Sequence, residues 1–246
     1  MNNRDLADCV RRDPEYLTKI YAGCVTEDDV TLKILPTIEN FRQFLITSLL
    51  QRNIPSFPFG YMLNTGTHAN GGKHWQAVYF DHDHRAYFFD SYGRKPASIF
   101  KLFADSILVF SYLITHVLRS NNRKVMQLED ILSTDNFTTS NLAKAHREKV
   151  LRDNATTSLY FSYQIQSDIS NVCGEYSLLF LYYICRCRSP EREGYEFWYN
   201  NGFFLYSHNH KLVKTSAMKK AFIRNDRHIN YHFYQLFHYK DANILS

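Results

Sequence analysis

Four side chains in the chain, His74, Asp90, Gln166 and Cys173, are of the types that acyl transfer to a thiol requires. Cys173 is followed by Gly174 and stands where the apolar helical stretch "CGEYSLLFLYYICRC" begins. A thiol there feels the positive end of the helix dipole and the orphan backbone N–H groups, which favour thiolate. A thiolate nucleophile needs a base that takes its proton and returns it to a leaving amine, and imidazole titrates in the right range. His74 opens the segment "HWQAVYF" directly after the flexible "ANGGK", which sets its ring at a strand end facing a loop. Asp90 ends the following segment "RAYFFD", and a hairpin between the two brings it back beside His74, where it can orient the ring and stabilise the imidazolium. The oxyanion formed on attack needs donors: one is the Cys173 backbone N–H, and a side-chain amide can supply the second. Gln166 lies seven residues before Cys173, at the end of the strand leading into its turn. Gln164 competes with it on the same strand face, and only closeness to the turn favours Gln166.

Each residue also has a plain structural reading. A free cysteine is among the most commonly buried residue types, so Cys173 alone would be a small apolar filler. Asp90 alone would be a turn initiator in "DSYG". The polar link "DHDH", Asp81 to His84, has metal-ligand residue types, but turn chemistry favours the same residues and a solvated turn is expected. Cys185 and Cys187 in "CRC" are too close for the usual zinc chelate loop, so no metal site is expected. Five cysteines in a chain of 246 residues do not suit a secreted disulfide scaffold, and an intracellular setting, cytoplasm or nucleus, is expected.

The elements that must position these groups follow from periodicity. Residues 1–55 read as a helical lead-in, with Ile38, Phe41, Phe44, Leu45 and Leu49 on one face. "IPSFPFG" breaks it. Strand spacing then runs through "YMLNT", "HWQAVYF" and "RAYFFDSYG", the last two joined as a hairpin by "DHDH". Gly71 and Gly72 turn the chain before His74, and Gly93 turns it after Asp90. Helical spacing returns in "KPASIFKLFADSILVFSYLITHVLRSNN", residues 120–157 read as a polar insertion, and "SLYFSYQIQ" as a strand before the Cys173 helix. The tail reads as mixed short elements. The expectation is one α+β domain over 1–246, with helices around a central antiparallel sheet.

With 45% hydrophobic and 16% aromatic residues, disorder of the whole chain is excluded. A net charge of +5 is mild and does not establish a nucleic-acid surface. The opening "MNNRDLADCVRRDPEYL" has no apolar core of the signal-peptide kind. The longest apolar run, "ILVFSYLITHVL", falls short of the roughly 20 residues of a membrane span, and a soluble monomer is expected.

"GGKHW", "FFDSYG" and the Gln-x6-Cys-Gly spacing, in that order, resemble the adenovirus endopeptidase family and, more distantly, the SUMO-specific and related ubiquitin-like proteases. The Gln-to-Cys spacing is of the adenovirus type, one residue longer than in SUMO proteases. "GYMLNTGTHANGGKHW" also resembles the adenovirus-like enzymes, "FFDSYGRKP" resembles most the proteases of large DNA viruses and of virus-derived DNA transposons, and "FIRNDRHI" is similar to an Asn-Asp element of the transposon-encoded members. The resemblance covers about residues 58–187, interrupted at 120–157. It implies a papain-like cysteine protease variant in which Cys173 attacks, His74 is base and then acid, Asp90 orients His74, and Gln166 with the Cys173 amide holds the oxyanion. Trp75 would wall a substrate channel or serve as a core aromatic. Substrates of such enzymes carry Gly-Gly or Gly-x-Gly before the cut, and capsid precursors are the expected polypeptides, which implies a protease packaged in virions. A deconjugase for SUMO or another ubiquitin-like modifier, and a dead protease fold kept as a binding module, are the alternatives. No cofactor is implied. The adenovirus enzymes are stimulated by DNA and by a disulfide-joined peptide; net charge alone supports weak DNA binding here, and no cysteine is assigned to an activating peptide.

Overall fold

The computed structural model describes residues 3–50, 57–67, 69, 72–82, 85–120, 158–160, 164–186 and 216–237. The alternating segments in the middle of the chain form an antiparallel meander of β2 (Phe59–Thr65), β3 (His74–Phe80) and β4 (Ala86–Phe89). β3 has the bounds its pattern predicts, and all seven of its residues are buried. Its alternation therefore sorts side chains between two cores rather than between core and solvent. Asp81 closes the β3–β4 turn by accepting from the Arg85 N–H at 2.9 Å and the Tyr87 hydroxyl at 3.0 Å. This is turn chemistry, as expected for the first residue of "DHDH"; Asp83 and His84 lie outside the described residues.

Two further strands make the sheet mixed. β1 (Tyr21–Thr26) pairs parallel with β2, and β5 (Ser158–Tyr160) pairs parallel with β4, giving the order β1-β2-β3-β4-β5. The expected antiparallel sheet is thus antiparallel only at its centre. The helical lead-in is corrected at the same point: α1 (Asn3–Arg11), α2 (Leu17–Ile20) and α3 (Ile38–Leu45) are helical, but the segment between them supplies an edge strand. "YAGCVT" is too short for its own periodicity to identify it, and its partner lies about forty residues on.

Helices cover both faces. On one, Phe59, Tyr61, Leu63, Val78, Phe80 and Phe88 pack with Phe41 and Leu45 of α3 and with Phe100, Phe103 and Ile107 of α4 (Ser98–Ser120). On the other, Met62, Trp75, Ala77, Tyr79 and Phe89 pack against α5 (Cys173–Ile184), α6 (Ser216–Phe237), α1 and α2. α6 is continuous where the tail was expected to hold short elements. Among the described residues of the segment 158–166, Ser158–Tyr160 form ladder and Gln164 makes a single bridge to Tyr92. Residues 121–157, most of the expected insertion, together with Gly71 and Cys187, lie outside the described residues. None of the described helices is long and apolar enough to cross a membrane.

The placement of α5 follows from three contacts. The Ser177 hydroxyl donates to the Trp75 carbonyl at 3.1 Å, Phe180 stacks on Phe89 with ring centres 4.9 Å apart, and Leu181 lies over Gly60. Gly60 pairs with Tyr79 and Phe89 with Ala77, so α5 runs along β3 in the same direction. One helical turn back from Ser177, Cys173 arrives beyond the start of β3, at the His74 end. Gly60 makes this approach feasible: a Cβ there would lie 2.8 Å from Leu181 Cδ2 and 2.9 Å from the Val78 carbonyl oxygen. Gly60→Ala is expected to destabilise the protein by about 1–3 kcal/mol, read as a lower urea midpoint; an unchanged midpoint would show that helix and sheet are less tightly apposed.

Candidate active site

His74 and Asp90 meet as the hairpin requires, with His74 Nε2 at 2.8 Å from Asp90 Oδ1. They are diagonal rather than direct neighbours. The β3–β4 register, continued past Ala77 and Phe89, sets Gln76 opposite Asp90 and Tyr92 opposite His74. Both side chains are buried, His74 at 7% and Asp90 at 3% exposure, so the carboxylate needs donors for all its lone pairs. It has three: His74 and the Tyr92 backbone N–H (2.7 Å) on Oδ1, and Gln76 Nε2 (2.6 Å) on Oδ2. The bond from Tyr92, with the Gly93 N–H donating to the Asp90 carbonyl at 2.9 Å, also makes Asp90 a turn initiator. Gly93 takes φ +67°, and Gly72, ahead of His74, takes φ +72°. The structural and catalytic readings of Asp90 thus describe one arrangement.

A carboxylate only accepts, so Nε2 of His74 carries the hydrogen toward Asp90 and Nδ1 is the ring nitrogen that this bond leaves over; Cys173 is close enough to act on the charge of the ring. The Tyr92 ring covers the imidazole, with centroids 4.7 Å apart, and the Arg94 guanidinium lies 4.7 Å beyond it. Burial of the imidazole works to lower its pKa, but hydrogen bonds and charge from Asp90 and Cys173 outweigh it and push His74 up to about 9.

Cys173 opens α5 and is half-buried. The residue before it, Val172, holds the N-cap position and has no side chain that can accept from the first-turn N–H groups. Those donors face whatever approaches the sulfur instead. Burial pushes Cys9 up to about 11 and Cys185 up to about 12, which keeps both as inert thiols.

Gln166 is fully buried and joins the two halves of the site. Its Oε1 accepts from the Ser91 hydroxyl, beside Asp90, and its backbone N–H donates to the Ser91 carbonyl at 3.1 Å. Its Nε2 donates to the Ser170 carbonyl at 2.9 Å and to the Ser170 hydroxyl at 3.1 Å. Ser170 O can only accept, so the amide orientation is determined. Both amide hydrogens are engaged, and release of the longer bond would free one for an oxyanion. Gln164 instead donates to the Gln166 carbonyl (3.1 Å) and to Asp168 (2.9 Å), back onto its own loop. Trp75, 8% exposed, belongs to the core on the α5 side.

The sequence reading passed over Gln76, Ser91, Tyr92 and Ser170. Only Gln76 carried a signal: it is the single amide in an otherwise apolar strand interior, two residues from His74 and on the same face. Among the described residues its buried Oε1 has no hydrogen-bond partner, a cost accepted to keep Nε2 on Asp90. Compared with models of protein families and with curated proteins, the chain matches none.

Because His74 binds its proton more tightly in the folded protein than at the ordinary 6.5, the associated stabilisation is fully present below pH 6.5 and is lost as pH rises through about 9. Asp90→Asn is expected to lower the His74 titration, followed by the imidazole proton resonance, and to shrink that alkaline loss of stability. An unchanged titration would show that Asp90 does not set the charge of His74.

Proposed function

We propose that the chain is a cysteine protease, a papain-like thiol endopeptidase of the adenovirus-endopeptidase and SUMO-protease type. The observation that carries the reading is the buried His74–Asp90 pair, 2.8 Å apart, with a cysteine at a helix N-terminus close enough to the imidazole to act on its charge. The substrate class rests on the resemblance alone: polypeptides cut after small, Gly-containing segments, in the first place capsid precursors of a virus or virus-derived transposon. The filled set of roles disfavours a dead binding module.

At neutral pH His74 is protonated, and the proposed reaction runs through the thiolate form of Cys173. The sulfur attacks the scissile carbonyl carbon, a C–S bond forms, and the carbonyl π pair moves to oxygen. The oxyanion develops beside the Cys173 backbone N–H, with the Gln166 amide as the second donor. Collapse breaks the C–N bond while His74 gives its Nδ1 proton to the leaving amine. A thioester and a neutral imidazole remain. That imidazole takes a proton from water, whose oxygen adds to the thioester carbonyl, and collapse expels the Cys173 thiolate, releasing the acid with His74 protonated again. Asp90 stays ionised throughout, holding Nε2–H and stabilising the imidazolium.

Cleavage of Gly-x-Gly-x peptides should fall by on the order of 10⁴–10⁶-fold in Cys173→Ala and His74→Ala. In the parent, kcat/KM should decline above pH about 9, as His74 loses the proton the leaving group needs. Unchanged cleavage in Cys173→Ala would sink the mechanism. Clean labelling of Cys173 by a SUMO-derived electrophile would reassign the substrate to a ubiquitin-like modifier.

A further inference from the structure

Asp226, in the middle of α6, is a carboxylate only 7% exposed. Among the described residues its hydrogen-bond partners are neutral donors that belong to the approach to Cys173. The Ser167 backbone N–H reaches its Oδ2 at 3.1 Å and Oδ1 at 3.4 Å, and the Tyr176 hydroxyl of α5 reaches Oδ1 at 3.2 Å. Its neighbour Asn225 donates from Nδ2 to the Ile165 carbonyl at 3.2 Å, and the Tyr176 hydroxyl lies at 3.2 Å from that same carbonyl. The pair therefore grips the segment Ile165–Ser170 at Ile165 and Ser167, on either side of Gln166; the Ser170 hydroxyl closes the turn by donating to the Ser167 carbonyl at 3.2 Å. That segment contains Gln166 and leads into the nucleophile.

A carboxylate is suited to this place by chemistry rather than size. A backbone N–H and the Tyr176 hydroxyl converge on it, and an ionised carboxyl offers acceptor positions with no donor of its own. Burying such a charge is costly, and burial does push the Asp226 carboxyl upward, so a purely space-filling role would favour an uncharged residue. Asp226 holds the N–H of Ser167 and Asn225 the carbonyl of Ile165, the two residues that flank Gln166 in the chain. The pair thus acts on the oxyanion amide through the backbone on either side of it.

We propose that Asp226, with Asn225, is a positioning residue for the oxyanion-binding segment, so that α6 assembles the part of the site that His74 and Asp90 do not reach. The proposal rests on the thiol-protease reading. It predicts a separation between two reactions of the same sulfur. Peptide hydrolysis passes through an oxyanion, whereas displacement of iodide from iodoacetamide by Cys173 develops none.

Asp226→Asn sets an NH₂ group against converging donors. It is expected to lower kcat for a Gly-x-Gly-x peptide on the order of 10²-fold, the cost of losing one oxyanion donor, with KM changed less than about twofold and Cys173 alkylation changed less than about threefold. Tyr176→Phe keeps the core volume and removes one hydroxyl; it should show the same split at roughly tenfold on the oxyanion scale, and it decides the matter if Asp226→Asn does not fold. Equal losses in alkylation and hydrolysis, or hydrolysis unchanged in both variants, would overturn the proposal while the protease reading stands. A parent protein that alkylates at Cys173 yet hydrolyses no such peptide would overturn both.

Discussion

A carboxylate buried to 3% exposure must be met by donors on every side, and the site is arranged around that demand of Asp90. Gln76 and His74 reach it because they lie on one face of β3, and Tyr92 reaches it because the chain turns immediately after β4. A register slip of one residue would turn His74 and Gln76 to the opposite face and strand the charge. The register of the hairpin and the electrostatics of the histidine are therefore one constraint. Asp81 pins one end of the hairpin and Asp90 the other.

The position of Cys173 depends on a different kind of fit. α5 is apolar on nearly all sides because it is enclosed by the sheet, α1 and α6. Its height along β3 is set by Ser177 on the Trp75 carbonyl, by Phe180 on Phe89, and by the absence of a side chain at Gly60. These contacts aim Cys173 past the end of the strand, where His74 waits. The helix starts without a capping side chain, so the donors that a serine or aspartate would occupy face the thiol. Helix stability is reduced at the point where reactivity needs unclaimed N–H groups, and packing of the remaining turns offsets the loss.

Between these two units runs the segment 164–170. It is bonded to Ser91 on the Asp90 side and to Asp226 and Tyr176 on the helix side. Gln166 consequently receives its orientation from Ser91 after Asp90, from Ser170, and through its neighbours Ile165 and Ser167 from α6. The setting of the imidazole follows from the sheet, and that of the Gln166 amide from the helical layer as well.

The chain alone was enough to identify β3 to the residue, the β3–β4 hairpin, the start of α5 and the chemical types at His74, Asp90, Gln166 and Cys173, because each depends on local periodicity or on a single turn. It did not disclose β1, whose partner is distant and parallel, nor the continuity of α6. It left Asp90 divided between turn initiator and orienting carboxylate, and three-dimensional packing unites the roles because the same Oδ1 accepts from both Tyr92 and His74. Gln76 was visible only as a polar residue in an apolar strand; its target had to wait for the register. Ser91 and Ser170 are ordinary polar residues in sequence, and Asp226 stood out only as part of "FIRNDRHI" with no partner indicated, since a hydrogen bond between segments about 60 to 75 residues apart leaves no local pattern. Residue types and local spacing come from the chain, while the partner of each buried polar group is decided by which segments the two cores press together.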